Sequence, residues 1–305
     1  MSKPKRHHWW PMAQSSHWTD RSGKVFVTRR DGSYFKANPI NIGVESELYT
    51  RFADDGSKDT AIEQWFADTI DGTISSVLDY FLDSGNLRSR EHRGDPTQAK
   101  TLKTLGYLVK KRVQYFPFAD APRAALASYI AALLVRHPEY LAKLTDFHSN
   151  DPQLRDSRSA ALDNMVYLHG VYSDKVAEST LIITRRAGAA EYLFADGGLV
   201  VKEPWGDPKG LPFDIHTPLT PDLAIQVFPM PTGMNLTEVS VMDANTQGVA
   251  RQNRIILAAA NRFVFCRGVP PSKFIAKHFG QPAPELYGYR FVNGKLETRY
   301  YPDRQ

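Results

Sequence analysis

The sequence predicts an α+β fold with an N-terminal β-hairpin, a helical middle section and a C-terminal, mixed but mainly antiparallel, β-rich half. Three observations predict it. Apolar residues between Asp59 and Leu82 recur at three- and four-residue spacing, the period of a helix with one buried face. From Thr180 onward, short runs rich in β-branched and aromatic residues are separated by Gly- and Ala-rich turns, the pattern of short strands. Helices and strands are therefore segregated along the chain rather than alternating, which argues against a doubly wound parallel sheet. The chain reads as one domain over 1–305, with a helical subdomain at about 59–177 and a β-rich subdomain at about 180–305.

Each element has a local cause. Val25-Phe26-Val27 and Tyr34-Phe35-Lys36 flank Asp31-Gly32, a pair suited to positive φ in a tight turn, and Asn38-Pro39 ends the second strand. Ile62, Trp65, Phe66, Ile70, Ile74, Val77 and Phe81 line the inward face of the first helix. A second helix is predicted over about Thr97 to Phe116, with Lys100, Lys103, Lys110, Lys111 and Arg112 on its outer face. A third, over Pro122 to Leu144, is apolar nearly all round and must break or kink at Pro138, whose ring removes a donor and clashes with the preceding turn. A fourth spans about Ser157 to Lys175. Strands follow at Leu181–Thr184, Glu191–Phe194, Leu199–Lys202, Phe213–Thr217 and Leu223–Phe228, then a helix from about Asn245 to Ala260 and a strand from Arg262 to Cys266. A short helix at Ser272–Phe279 and a hairpin turning at Asn293-Gly294 complete the chain.

Composition narrows the function classes. With 42% hydrophobic residues the chain can bury a sizeable core, and 16 Phe, 14 Tyr and 5 Trp exclude a disordered composition. A net charge of +5 is compatible with a phosphate-bearing partner and equally with an ordinary basic protein. The single Cys266 permits no internal disulfide and sits in an apolar strand run, which predicts a buried, unreactive thiol and a reducing, cytoplasmic setting. The most apolar stretch, Ala124 to Val135, is too short to span a bilayer, so no membrane association is expected, and no signal peptide is visible. Phosphate-binding loops, dinucleotide fingerprints, Cys-x-x-Cys and His-Glu-x-x-His pairs and serine-hydrolase elbows are all missing.

An ordered set of small motifs runs through the chain: His7-His8 with Pro11, Glu45 with Tyr49-Thr50, Glu63, Arg136 with Pro138, and Asn253 with Arg254. In that order they resemble domain-of-unknown-function family 4238, over residues 7 to about 267. Two places depart from the family pattern. Asp196 is followed by Gly197-Gly198 in place of an Asn-Pro step, and Trp9-Trp10 replaces smaller or single aromatics. The resemblance implies no reaction, so function has to come from the site.

The candidate site residues each carry two readings. His7 and His8 are suited to proton transfer or metal ligation, or else to a backbone hydrogen bond beneath the anchoring Trp9-Trp10-Pro11. Glu63 falls within the apolar face of its helix, where a carboxylate needs a partner such as Arg136, a His or a metal; alternatively, Thr60 to Glu63 is a capping box. Arg136, in the most apolar helix, must bind an anion, either a carboxylate such as Glu63 or Glu45 or a substrate phosphate. Lys103 and Lys110 belong to a basic face that steers nucleic acid or is merely solvated. Asp196 is a second metal-ligand candidate or a turn residue.

Two functions are compatible with this set. One is a hydrolase of a phosphate-containing substrate, in its sharpest form an Mg²⁺- or Mn²⁺-dependent nuclease acting on nucleic acid or nucleotides in a bacterial defence or conflict setting. There, His7 or His8 is base or ligand, Glu45, Glu63 and Asp196 hold metal, and Arg136 stabilises phosphate charge. The other is a non-enzymatic binding or regulatory module with a buried structural His/Glu/Arg cluster. A solvent-reachable cleft lined by these residues favours the first, and a sealed cluster favours the second.

Overall fold

The computed structural model describes residues 6–53, 55–82, 114–117, 120–151, 156–202, 214–228, 238–283, 289–292 and 295–298. The chain starts with β1 (Arg6–His8), a one-turn helix α1 (Met12–Ser15), and the hairpin β2 (Val25–Arg29) and β3 (Tyr34–Ala37), whose turn places Gly32 at φ 83° as the Asp-Gly pair predicts. After β4 (Val44–Ser46) and the small pair β5 (Arg51–Phe52) and β6 (Lys58–Asp59) comes the first long helical segment. It is α2 (Ala61–Trp65), a π-helical stretch over Phe66–Asp71, and α3 (Gly72–Leu82).

Most of the predicted second helix lies outside the described residues, Lys103 and Lys110 included. Its last part is not helical, because Gln114–Pro117 forms β7, paired antiparallel with a later strand. Sheet pairing there overrides the local helical period, a tertiary effect that sequence spacing does not carry. Next come α4 (Asp120–Val135), α5 (Pro138–Ser149) and α6 (Ser157–Ala177). Pro138 breaks the helix outright. His137 is the N-cap of α5, and Pro138 takes its first turn, where a missing N–H costs nothing.

The β-rich half contains β8 (Thr180–Arg186), β9 (Phe194–Ala195), β10 (Val200–Lys202), β11 (Asp214–Thr220), β12 (Leu223–Phe228), β13 (Glu238–Ala244), α7 (Thr246–Ala258), β14 (Phe263–Cys266), α8 (Ser272–His278), and the terminal pair β15 (Tyr289–Val292) and β16 (Lys295–Thr298). The strand expected at Glu191–Phe194 shrinks to β9. The amide side chain of Asn253 takes the backbone bonds there instead, donating to the Glu191 carbonyl at 2.8 Å and accepting from the Leu193 N–H at 3.0 Å. β13, which the sequence reading did not anticipate, runs parallel to β8, while the other pairings are antiparallel.

The larger sheet has the order β10-β11-β12-β8-β13-β7. One face carries Leu181, Ile183, Ile225, Val227 and Val241 onto α3, α4 and α6, the main core. The smaller sheet, β3-β2-β14-β9, is split by strand alternation. Phe26, Val264, Cys266 and Ala195 face α7 and α8, whereas Val25, Val27, Phe265 and Phe194 face Trp10 and Trp18. Trp10 stacks on Phe194 at 4.3 Å and on Phe265 at 4.7 Å, so the N-terminal segment is anchored in the core as its aromatics predict. Buried Gln14 then ties that segment to both halves. Its Oε1 accepts from Trp10 Nε1 and the Tyr129 hydroxyl, and its Nε2 donates to the Pro218 carbonyl. No helix among the described residues is long and apolar enough to cross a membrane.

The junction of β1 with β4 is sterically exacting. Gly43 sits at φ 60°, its carbonyl accepts from the Trp9 and Trp10 N–H groups, and a Cβ added there would lie 2.4 Å from the Trp10 Cβ. Gly43→Ala is expected to destabilise the protein by about 2–4 kcal/mol, the sum of left-handed strain and overlap. Urea denaturation followed by tryptophan fluorescence measures this, and a change under half a kilocalorie (about 0.5 kcal/mol) would show that the junction yields freely.

Candidate functional site

Four chain segments meet around Arg136. β1 brings His7 and His8, the turn after β4 brings Tyr49, the long helical segment brings Glu63, Phe66 and Asp71, and the end of α4 supplies Arg136 itself. The guanidinium is 1% exposed and permanently charged, so it needs anionic or carbonyl partners. It has them. Nη1 donates to Asp71 Oδ1 at 2.7 Å, Nη2 to Asp71 Oδ2 at 3.4 Å and to the His8 carbonyl at 2.5 Å, and Phe66 lies under the plane at 4.5 Å. The sequence reading offered Glu63 or Glu45 as the partner. The partner is Asp71.

The π-helical stretch explains that difference. A π-turn closes i→i+5 and holds one residue more than an α-turn, so every residue beyond it is displaced around the axis. A wheel drawn at constant helical pitch misplaces Asp71, the last residue of the stretch. An acidic residue directly before Gly72 is the only sequence signal that marks it.

Tyr49 links the other parties. Its hydroxyl donates to the Arg136 carbonyl at 2.5 Å, satisfying one of the acceptors left over at the end of α4. Its backbone N–H donates to His7 Nδ1 at 3.0 Å, and the two rings stack at 5.6 Å. Burial pushes the Tyr49 phenol well above its ordinary range, so it stays a neutral donor. The turn that aims this N–H includes Glu47 at φ 56°, with the Glu47 and Leu48 carbonyls held by Arg158 Nη2.

His7 is 0% exposed, and its Nδ1 lies 3.6 Å from Glu63 Oε2, with Glu63 19% exposed. That distance is within ion-pair reach, but the position of the ring proton weighs against one. Nδ1 already accepts the Tyr49 N–H, so the ring hydrogen sits on Nε2, and 3.6 Å is beyond hydrogen-bond range. The contact is polar packing in this tautomer. The capping-box alternative for Glu63 is missing its Thr60 half. The Thr60 side chain makes no cap hydrogen bond, and Asp59 Oδ1 takes the Ala61 N–H instead.

His8 is half-buried and hydrogen-bonds the Ile40 backbone. Burial first, then the Arg136 and Arg6 charges, pull its pKa below the ordinary value, with Asp71 and the Ile40 bond opposing them. His137 faces away from this cluster. Its Nδ1 accepts the Glu139 N–H, its Nε2 donates to the Asp196 carbonyl at 2.8 Å, and Trp9 meets it edge-on.

The remaining candidates are elsewhere or otherwise engaged. Asp196 is taken up structurally. Its carboxylate accepts the N–H groups of Asn261, Arg262 and Phe263 at 2.8, 2.8 and 3.0 Å, fixing the entry to β14, and burial raises its pKa against those bonds. Glu45 is opposite His7 in the β1–β4 register, but its side chain is exposed. Among the described residues, no three His, Cys, Asp or Glu side chains gather as a metal-binding group, so Glu45, Glu63 and Asp196 do not form one. Cys266 is buried, with its thiol pushed up to about 12 by that burial.

Fold and site together define an α+β protein whose N-terminal strand is held over a buried arginine paired with a part-exposed aspartate. Residues 6–268 match the family described as Protein of unknown function (DUF4238), and the chain belongs to that family. No curated protein and no solved structure matches the chain.

The cluster ranks its carboxylates. Asp71→Asn leaves a buried guanidinium without its counter-charge and is expected to cost about 2–4 kcal/mol, reduced from the full buried-pair figure because Asp71 is 23% exposed. Glu63→Gln should cost less than Asp71→Asn, since its 3.6 Å contact with His7 is longer than a hydrogen bond. Chemical denaturation of both variants checks the order, and equal or reversed costs would contradict this assignment of partners.

Proposed function

We propose that this protein is a non-enzymatic binding or regulatory module in which His7, Glu63 and Arg136 belong to a buried structural cluster. The observation that carries this is the engagement of Arg136. At 1% exposure, with Nη1 and Nη2 committed to Asp71 and the His8 carbonyl, it is closed to a substrate phosphate in this conformation. His7, fully buried with Nδ1 occupied, is likewise closed to a reacting group. With a net charge of +5, the partner class to screen first is phosphate-bearing, a nucleotide or nucleic acid. A cytoplasmic setting belongs to the same proposal, motivated by the single buried cysteine.

One observation favours a second reading, a hydrolase of a phosphate-containing substrate. Glu63 and Asp71 retain 19% and 23% side-chain exposure while their neighbours His7 and Arg136 are sealed. Two water-reachable carboxylates on one helical segment, joined by a π-stretch of the kind frequent at functional sites, suit Mg²⁺- or Mn²⁺-assisted hydrolysis. A nuclease in bacterial or phage defence is the sharpest form of that reading.

The two readings part in a cleavage assay with single- and double-stranded DNA and RNA and with nucleotides, in the presence of Mg²⁺ or Mn²⁺. The module predicts turnover no greater than buffer for the wild type. Metal-dependent cleavage that falls about a hundredfold or more in folded Glu63→Gln would replace it with the hydrolase.

A further inference from the structure

The underside of Arg136 is incompletely used. Asp71 occupies the Nη1–Nη2 side of the guanidinium, Nη2 also reaches the His8 carbonyl, the Tyr49 hydroxyl faces the same group, and Nε is buried without a well-aligned hydrogen bond. An Nε–Nη2 edge is the geometry in which Arg grips a carboxylate or phosphate with two parallel N–H bonds. Here a single carbonyl oxygen from β1 covers it. A buried donor without a well-aligned acceptor is costly, so a two-oxygen ligand would satisfy this edge better than the closed arrangement does.

β1 is also weakly held for an element covering a charge. Among the described residues it pairs only with β4, three residues to three, as a two-stranded ribbon separate from both larger sheets. Such a pair has little stability of its own. His7 and Trp9 are packed inward, on Tyr49 and His137, whereas Arg6 is exposed and His8 only half-buried.

His8 gives this ribbon a trigger. The groups facing it are Arg136 at the end of α4, Asp71 on the π-stretch, Arg6 on β1 itself and the Ile40 backbone before β4. Its Nε2 is a buried atom with no hydrogen-bond partner. A proton arriving there meets no acceptor and adds a positive charge between two arginines.

We propose that residues 6–9 form an acid-released strap over a latent oxyanion-binding edge of Arg136, with His8 as the trigger. The ligand class is a carboxylate- or phosphate-bearing molecule that takes the place of the His8 carbonyl on Nη2 and supplies an acceptor to Nε. This deepens the binding-module reading by naming the ligand class and its control, and it rests on that reading.

The sign of the pH dependence follows from the burial of His8. Its pKa is depressed in the closed state and returns toward 6.5 once the strap is in water, so the released state binds more protons. Closure is therefore fully favoured above pH 6.5 and weakens as pH falls below it toward the depressed value. His7 lies in the strap itself and Glu63 faces it, so the variants must separate His8 from both.

Amide hydrogen exchange on the full chain, corrected for intrinsic rates, reads strap closure directly. Between pH 7.5 and 5.5, exchange at residues 7–10 should rise about threefold or more relative to α4 and β8, and His8→Gln should flatten that rise. His8→Asn serves as a second variant should the first fold poorly. At pH 5.5, adding inorganic phosphate at constant ionic strength, against chloride, should raise strap exchange further. A flat wild-type profile, or an unchanged rise in both folded His8 variants, overturns the trigger. Release that phosphate does not deepen overturns the oxyanion site. Neither result depends on turnover, so the failure of this proposal is distinguishable from that of the binding-module reading.

Discussion

A guanidinium that cannot give up its charge, placed where water does not reach, sets the terms for the N-terminal half of this protein. Arg136 terminates the most apolar helix of the chain, and its burial is tolerable only if anions and carbonyls come to it. Asp71 comes from a helix that has widened into a π-turn, and the His8 carbonyl comes from the first strand. Tyr49 closes the same helix end from a turn held by Arg158. Four segments far apart in sequence are thus fixed relative to one another by the needs of one side chain. Its position at a helix C-terminus helps, because the helix dipole favours positive charge there.

The same device, a buried polar side chain standing in for backbone pairing, recurs where the two sheets meet the N-terminus. Gln14 bridges Trp10, Tyr129 and the Pro218 carbonyl, Asn253 fastens the stretch before β9, and Asp196 gathers three consecutive amides before β14. Each group is satisfied by neighbours that only the folded chain brings together, so each specifies one arrangement and penalises others. Asn253 shows the consequence for secondary structure. The Glu191–Phe194 run has strand composition, yet its amide and carbonyl are claimed by a helix side chain, and only its last residue enters a ladder.

Local physics made much of this legible from sequence. The Asp31-Gly32 turn, the break at Pro138, the inward face of the first helix and the core role of Trp10 all follow from dihedral limits, hydrophobic period and aromatic bulk. β13 and the pairing of β7 were not legible, since both depend on contacts between distant segments. The site divided in the same way. That Arg136 needs an anion is a statement about one residue, and it holds. Which anion answers depends on a π-turn that no periodicity count reveals, so spacing leaves Glu63, Glu45 and a substrate phosphate open and does not single out Asp71. Asp196 looked available because its three amide donors lie more than sixty residues downstream.

Burial separates what this cluster can do from what its composition suggests. Imidazole, carboxylate and guanidinium in one place make a catalytic inventory, but catalysis needs groups that a substrate can touch and protons that are free to move. Here His7 spends its Nδ1 lone pair on a backbone amide, and Arg136 spends two nitrogens on an aspartate and a carbonyl. The groups with most chemical potential are sealed, and the two carboxylates are the ones that meet water. That inverted arrangement is costly for an active site and natural for a clamp, since a clamp gains specificity from buried charge only if solvent is kept out. The clamp is nevertheless incomplete at one edge of Arg136, where a single carbonyl of β1 serves two donors' worth of guanidinium. A permanent charge covered by a short two-stranded ribbon can be held shut and still opened, so one cluster can lock the fold and leave a place for a ligand.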